Sequence, residues 1–283
     1  MQQLLTDKTA LIQKIIEVLQ NHSRKASIFP AGISNSSTAA AVLCLLGFYR
    51  KGTLNAPQAC FVFNKRSLKV RQAGDICFPG GRIMPLIDFY FSWGLRLPFS
   101  PLSRWPYWNW WRERRPLEAR RLSLLLSAGL REGLEEMRLN PLGVRFLGPL
   151  PSQRLQMFQR EIYPMAAWIE RQQRFFPNWE VEKIITVPIR RFLDPAHYAG
   201  CRISFNTGGE REAARSRETF PCFCLPEGSE REILWGATYR MVMNFLELVF
   251  GFRPPPLESL PVVNKRLGGE YINRGIADPE YIR

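Results

Sequence analysis

The feature that most constrains this chain is a group of three carboxylates at helical spacing in residues 130–139. At 100° per residue, Glu132, Glu135 and Glu136 fall within about a third of a helix circumference, and the apolar side chains of the same stretch fall on the other side. Carboxylates this close repel one another at neutral pH, so a positive charge is expected among them. Arg131 supplies one charge, and a hard divalent cation such as Mg²⁺ or Mn²⁺ would supply the rest. The pattern favours a metal site; the alternative is a solvated acidic helix face.

A glycine-rich turn lies upstream of this helix. Residues 74–82 read Gly-Asp-Ile-Cys-Phe-Pro-Gly-Gly-Arg, which is typical of a short apolar strand that runs into a turn. Together, the turn and the acidic helix resemble the signature of the Nudix hydrolases, G-x5-E-x7-R-E-U-x-E-E-x-G-U, in which U is a bulky aliphatic residue. The residues that match this signature are Gly81, Arg131, Glu132, Glu135 and Glu136.

A longer segment resembles one particular branch of this family. Residues 61–81 look like the branch of the family that cleaves coenzyme A, which typically carries L-L-T-x-R-S followed by L-R-x-H-x-G-x-I-x-F-P-G-G. Residues 178–189 and 232–238 resemble two later segments of that branch, in the same order. The resemblance therefore covers about residues 36–250.

An insertion interrupts the signature. Gly81 and Arg131 lie 50 positions apart (131 minus 81), whereas the signature allows 14, so about 36 residues are inserted. Ile87 stands at the position of the first signature glutamate, and the neighbouring Asp88 is not predicted to replace it.

The resemblance implies a fold and a reaction. The implied fold is α/β, the Nudix fold, an α/β/α sandwich with a mixed β-sheet. The implied reaction is metal-dependent hydrolysis of the pyrophosphate bond of coenzyme A or a related nucleoside diphosphate derivative. Two alternatives stay open: an ADP-ribose or dinucleotide pyrophosphatase, and a non-catalytic binding module that docks through the insertion.

The resemblance also implies roles for the matching residues. Glu132, Glu135 and Glu136 would hold Mg²⁺ or Mn²⁺ together with the carbonyl group of Gly81, and Glu136 would also be catalytic. Arg131 would orient the carboxylates through charge-assisted hydrogen bonds.

Further site residues are predicted outside the acidic helix. Glu182 is the predicted general base, with Glu180 as the other candidate; the alternative for each is a solvated carboxylate at the end of a strand. Arg66, Arg71 and Arg82 flank the Pro-Gly-Gly turn in sequence and are predicted to bind substrate phosphates. Surface arginines with no such role are the alternative.

Three regions are predicted along the chain. Residues 1–35 form an N-terminal amphipathic helix, capped at Thr6 or Asp7, and a linker that extends to residue 38. Residues 36–250 form the Nudix domain with the insertion at about 84–122, and residues 251–283 form a C-terminal extension. Because Arg138 replaces the glycine that ends the signature helix, that helix is expected to run on to Asn140 and Pro141.

The insertion is rich in aromatic rings next to arginines. Such a pattern suits stacking on a nucleotide base, docking on a membrane interface, or closure over the site as a lid. The alternative is that the rings are buried against the domain. The residues concerned are Trp105, Tyr107, Trp108, Trp110 and Trp111, with Arg104, Arg112, Arg114 and Arg115.

Charge and cysteine content limit the class of partner. The net charge of +14 and the pI of about 9.9 favour anionic partners. A nucleotide-type small molecule is the predicted partner and nucleic acid is not expected; membrane contact through the insertion and a homodimer are further hypotheses. The six cysteines lack zinc-binding spacing. No leader pattern is visible, and the longest apolar run, residues 39–49, is too short to span a bilayer, so we predict a cytoplasmic protein.

Overall fold

The chain forms a mixed α/β structure built on two β-sheets. The computed structural model describes residues 2–25, 27–30, 33, 38–50, 57–155, 160–205, 219–225, 232–267 and 271. Within these ranges, no helix is both long and apolar enough to cross a membrane. The helices are α1 (Gln2–Thr6), α2 (Lys8–Arg24), α3 (Pro85–Gly94), α4 (Trp108–Arg114), α5 (Pro116–Met137), α6 (Ile189–Phe192) and α7 (Gly236–Phe250). The strands are β1 (Ala39–Tyr49), β2 (Gln58–Arg66), β3 (Ile76–Cys77), β4 (Gly80–Arg82), β5 (Val144–Pro149), β6 (Gln153–Leu155), β7 (Arg160–Ile169), β8 (Val181–Pro188), β9 (Tyr198–Phe205), β10 (Thr219–Leu225), β11 (Glu232–Leu234) and β12 (Val262–Leu267).

The larger sheet is mixed. Its main path runs β3-β2-β1-β7-β5, and β8 pairs with β2, β4 with β1 and β6 with β7. Strand β1 is parallel to β7 and antiparallel to β2. The residues of β1 are nearly all buried, as expected for a central strand that is covered on both faces.

Helices cover both faces of this sheet. Helix α5 lies over the face that carries Leu43, since a Cβ atom at Gly129 would lie 3.0 Å from the Leu43 Cγ. Helix α7 lies over the other face, where the rings of Phe245 and Phe61 meet edge to face with centroids 5.2 Å apart. Phe61 pairs with Leu46, which points away from Leu43 because side chains alternate along a strand. The predicted α/β/α sandwich with a mixed sheet is confirmed.

The N-terminal helix is also confirmed. Asp7 caps α2 by accepting hydrogen bonds of 3.0 Å from the backbone N–H groups of Thr9 and Ala10. The apolar side of α2, with Leu11 and Ile15, is fully buried. The linker predicted to follow it lies outside the described residues except for its last position, residue 38.

A second sheet of four strands contains part of the predicted C-terminal extension. Its order is β11-β10-β9-β12, and β12 runs parallel to β9. Tyr271 is buried in the small core of this sheet. Residues 268–270 and 272–283 of the extension lie outside the described residues.

The tryptophans of the insertion are mostly core residues. Trp105, Trp108 and Trp111 are buried. The indole N–H of Trp105 donates to the Leu147 carbonyl over 3.2 Å, and that of Trp111 donates to the Gln20 side-chain oxygen over 2.9 Å. These three rings are therefore unavailable for docking or stacking on a ligand, and the alternative of burial is confirmed.

The acidic helix ends earlier than predicted. Helix α5 stops at Met137, and Arg138 adopts the left-handed backbone conformation with φ of 56°. The N–H of Leu139 donates to the Gly133 carbonyl over 3.1 Å, and the buried Leu139 side chain packs on Gly133. This is a Schellman motif, whose bonds and apolar contact offset the cost of about 1–2 kcal/mol that a left-handed residue other than glycine incurs. The predicted run to Asn140 is therefore wrong.

Candidate active site

A buried guanidinium lies at the centre of the candidate site. Arg131, on α5, is buried, and its Nε donates to Asp88 Oδ1 over 2.8 Å while one terminal nitrogen lies 3.3 Å from Asp88 Oδ2. Asp88 lies on α3, has no exposed surface, and also accepts a hydrogen bond of 2.6 Å from the Met84 backbone N–H. This two-point pairing fixes the plane of the guanidinium.

The other side of the guanidinium gathers the acidic residues of α5. One Arg131 terminal nitrogen donates to Glu132 over 2.9 Å and to Glu135 over 3.1 Å, and the other donates to the Arg82 carbonyl over 2.9 Å. Burial acts to lower the pKa of Arg131, but the bond to Asp88 and the surrounding carboxylates hold that pKa above its ordinary value. The cation therefore stays charged and holds both carboxylates by hydrogen bonds.

Asp88 is the site residue that sequence reasoning missed. The signature position falls on Ile87, whose side chain is exposed, whereas Asp88 one residue later points inward to Arg131. The expectation that Asp88 does not replace the signature glutamate stays a prediction, although its carboxylate makes the buried ion pair with Arg131. A usable signal was present: Asp88 is the single acidic residue between Gly81 and Glu113.

The carboxylates of Glu132 and Glu136 face the glycine turn and the central sheet. A Cβ atom at Gly81 would lie 2.2 Å from Glu132 Oε1, so only glycine leaves room for this carboxylate against β4. Glu136 is buried and accepts a hydrogen bond of 2.6 Å from Asn64 Nδ2 on β2. Glu135 is 52% exposed at its side chain and is directed toward Arg131.

In the absence of a metal ion, the ionised form of Glu136 is destabilised by its surroundings. Burial and the negative charge of Glu132 raise its pKa; Arg66 lowers it, Glu180 raises it and the bond from Asn64 lowers it, with a net value of about 8. Burial likewise raises the pKa of Glu132, although Arg131 opposes that rise. The cluster thus carries more negative charge than the described protein groups compensate.

The predicted general base is not in the cluster. The Glu182 carboxylate forms a salt bridge of 3.0 Å with Lys65 and lines a separate surface pocket of about 710 Å³ with Tyr49 and Lys183. It is Glu180, the other candidate, whose charge raises the pKa of both Glu132 and Glu136. Which of the two carboxylates acts as a general base stays a prediction.

The predicted phosphate-binding arginines lie close together. Arg66 Nε donates to the Arg71 carbonyl over 2.8 Å. Burial lowers the pKa of Arg160, and the positive charges of Arg82, Arg71 and Arg66 lower it further, so each of these three guanidiniums lies within electrostatic range of Arg160. Arg160, at the start of β7, belongs to none of the recognised segments, and nothing in the sequence pattern pointed to it.

The loop that carries Arg71 is fixed by the second sheet. Asp75 Oδ1 accepts hydrogen bonds from the Trp235 indole over 3.0 Å and from Lys265 Nζ over 2.8 Å, and Asp75 Oδ2 accepts one from the Tyr271 hydroxyl. The backbone N–H of Gln72 donates to the Tyr271 carbonyl over 3.0 Å. Residues of the predicted C-terminal extension thus set the position of this loop.

The donor set fits a hard divalent cation. Within the described ranges, no three His, Cys, Asp or Glu side chains stand at metal-binding positions, and Glu135 is bonded to Arg131. Glu132 and Glu136 remain, next to the backbone of Gly81, and the buried Asn64 Oδ1 has no hydrogen-bond partner. Oxygen donors and an undercompensated buried carboxylate are the chemistry that Mg²⁺ or Mn²⁺ suits.

Comparisons with known proteins give only a distant likeness. No protein-family model and no curated protein matches the chain. A NUDIX hydrolase from Nitrosomonas europaea is 12% identical over 81% of this chain and 81% of that chain, with a TM-score of 0.36. One from Alicyclobacillus acidocaldarius is 15% identical over 56% and 82%, with a TM-score of 0.35. The NUDIX domain of Shewanella oneidensis NrtR, solved with ADP ribose, is 11% identical over 62% and 86%, with a TM-score of 0.33. Values this low carry no argument about function.

The Asp88–Arg131 pair can be tested by unfolding. Asp88→Asn removes the main counter-charge of a buried guanidinium, and we expect it to lower the free energy of unfolding by about 3 kcal/mol in urea titrations. Glu113→Gln, which neutralises an exposed carboxylate in the same insertion, should change it by less than about 0.5 kcal/mol. A loss in Asp88→Asn no larger than in this control would contradict the proposed central role of the pair.

The raised pKa of Glu136 predicts a pH dependence for the metal-free protein. The carboxyl ionises near 4.5 when unfolded but near 8 when folded, so stability should fall as the pH rises through this range. Glu136→Gln stays neutral, so at pH 8 it should be more stable than the parent by about 4 kcal/mol, with a shallower pH slope. Urea unfolding in EDTA measures both, with Glu182→Gln as the control that keeps the parent slope. Equal slopes for Glu136→Gln and the parent would show that this carboxyl does not carry the raised pKa.

Proposed function

We propose that the chain is a metal-dependent hydrolase of the Nudix type, which cleaves the pyrophosphate bond of a nucleoside diphosphate derivative. The observation that carries the proposal is the pair of carboxylates Glu132 and Glu136 on α5. Glu132 bonds to Arg131 directly beside the Gly81 turn, and Glu136 is buried against Asn64. Pairing with Arg131 accounts for Glu132 and Glu135, but the buried Glu136 forms no salt bridge within the described residues and is costly to stability. The resemblance of the sequence to the Nudix signature supports the same function.

The metal would be held by Glu132, Glu136 and the carbonyl group of Gly81, while Glu135 stays paired with Arg131. A bound Mg²⁺ or Mn²⁺ supplies charge neutralisation at the phosphate oxygens and lowers the pKa of a water molecule. Arg131 does not touch the substrate in this account. It keeps the carboxylates of Glu132 and Glu135 at fixed positions through bonds of 2.9 and 3.1 Å.

Proton removal from the attacking water is assigned to Glu180. Its backbone is fixed because its carbonyl accepts a hydrogen bond of 2.8 Å from the Ser67 N–H, and its charge acts on Glu132 and Glu136. Glu182 is unsuited to the role, since it is neutralised by Lys65 outside the cluster. A base must lie within hydrogen-bond reach of the proton that it accepts, directly or through one water molecule.

The proposed substrate is coenzyme A or an acyl derivative of it. The support is the resemblance of residues 61–81 to the branch that cleaves coenzyme A, together with the group of arginines beside the turn. A diphosphate needs two cationic partners, whereas Arg66, Arg71, Arg82 and Arg160 can also bind the third phosphate that coenzyme A carries on its ribose. ADP-ribose and NADH lack that phosphate.

The proposal is tested with a panel of substrates. The chain is incubated with coenzyme A, dephospho-coenzyme A, ADP-ribose and NADH in Mg²⁺ or Mn²⁺, and products are resolved by chromatography. We expect 4′-phosphopantetheine from coenzyme A and a kcat/KM about tenfold lower for dephospho-coenzyme A. EDTA should abolish turnover.

Matched variants locate the chemistry. Glu132→Gln and Glu136→Gln should lower kcat at least about 100-fold, and Glu180→Gln about 100-fold or more, since they remove metal ligands and the base. Glu182→Gln should remain near the parent rate. Near-normal turnover in both Glu132→Gln and Glu136→Gln, or no turnover of any substrate by the folded parent, would contradict the proposal.

A further inference from the structure

Helix α3 of the insertion has its apolar side facing outward. Leu86, Ile87, Phe89, Tyr90 and Trp93 are each between 48% and 75% exposed. The buried side of the same helix carries the polar residues Asp88 and Ser92. A helix on a water-facing surface shows the opposite distribution, with apolar residues inward and polar residues outward.

The outward apolar surface is continuous and extends beyond the helix. At 100° per residue, the five apolar positions of α3 all lie on the side opposite Asp88. Leu97 and Phe99 of the following turn are also exposed, Phe99 to 84%. We call this set of seven residues the α3 face. Isolated apolar residues on a surface are ordinary, but seven exposed apolar residues within fourteen positions, three of them in ring contact, are typical of an interaction site.

Positive charge borders the α3 face at one end. Helix α3 packs antiparallel to α5, because Ser127 bonds to the Asp88 carbonyl at one end while Arg96 lies within electrostatic range of Arg120 at the other. Arg112 belongs to the same group. All three guanidiniums are exposed, and none of them forms a salt bridge with a carboxylate in the described part of the chain.

We propose that the α3 face docks on the surface of an anionic lipid bilayer. Aromatic and aliphatic side chains on one side of a short helix fit the boundary between headgroups and acyl chains, where Trp and Tyr are favoured. Arg96, Arg112 and Arg120 at the edge fit lipid phosphates, and the chain as a whole carries a net charge of +14. The same charge disfavours a second copy of this chain as the occupant, because two such copies repel each other.

Docking in this way brings the site next to the bilayer. The α3 face and Asp88 lie on opposite sides of one helix, and Asp88 holds Arg131. A membrane-bound protein would therefore keep its carboxylate cluster about one helix diameter, roughly 10 Å, from the lipid surface. The inference rests on the surface alone and stands whether or not the proposed hydrolase activity is found.

Flotation with lipid vesicles tests the proposal. The full chain is mixed with vesicles of phosphatidylcholine, or of phosphatidylcholine with about 30 mol% phosphatidylglycerol, and is recovered from a density gradient. We expect flotation with the anionic vesicles only, and weaker flotation at about 0.5 M salt, where charge interactions are screened. Tyr90→Asp combined with Trp93→Asp should reduce the bound fraction at least about tenfold.

Two further variants distinguish binding through the α3 face from nonspecific binding to lipid. Val262→Asp, which changes a 50% exposed apolar residue on the second sheet, should float like the parent. Arg96→Gln combined with Arg120→Gln should lose most of the preference for anionic lipid. Thermal unfolding checks that every variant is folded.

Three results would overturn the proposal. One is a folded parent that fails to float with anionic vesicles, and another is a Tyr90/Trp93 double variant that floats as well as the parent. The third is a dimer in sedimentation that forms without lipid and is lost in that double variant, which would assign the α3 face to a second copy of the chain.

Discussion

The site depends on one buried cation. Arg131 is removed from water, and a guanidinium in that position is tolerated only when carboxylates pair with it. Asp88 supplies the strongest pairing from one side, and Glu132 and Glu135 complete it from the other. Because Asp88 lies on α3, the segment that the sequence predicted as an insertion contributes to the construction of the site. It orients the same helix that carries the proposed metal ligands.

Local patterns were enough to predict the framework and the acidic helix. Helical periodicity predicted α2, and the spacing of Glu132 and Glu136 placed both on one side of α5. These features are encoded by residues a few positions apart, where period and propensity are readable. The end of α5 could not be predicted from neighbouring residues. Arg138 takes a left-handed conformation there because the Leu139 side chain is buried against Gly133.

Contacts between residues far apart in the sequence could not be predicted from local patterns. The Asp88–Arg131 pair spans 43 positions, and a shift of one residue from the signature hid it. The segment of tryptophans and arginines shows the same difficulty. Its composition is compatible with an exposed binding surface, but Trp105 and Trp111 are buried in the core. The exposed apolar residues lie on helix α3 instead. Which side of a helix is buried depends on what packs against it, and that information lies elsewhere in the sequence.

The most direct test of the account is Mn²⁺ binding to the protein without substrate, measured by electron paramagnetic resonance. The account predicts saturable binding by the parent, at least tenfold weaker binding by Glu132→Gln combined with Glu136→Gln, and parent-like binding by Glu182→Gln. Equal Mn²⁺ affinity in the double variant and the parent would show that this carboxylate cluster is not the metal site, and would contradict the central claim.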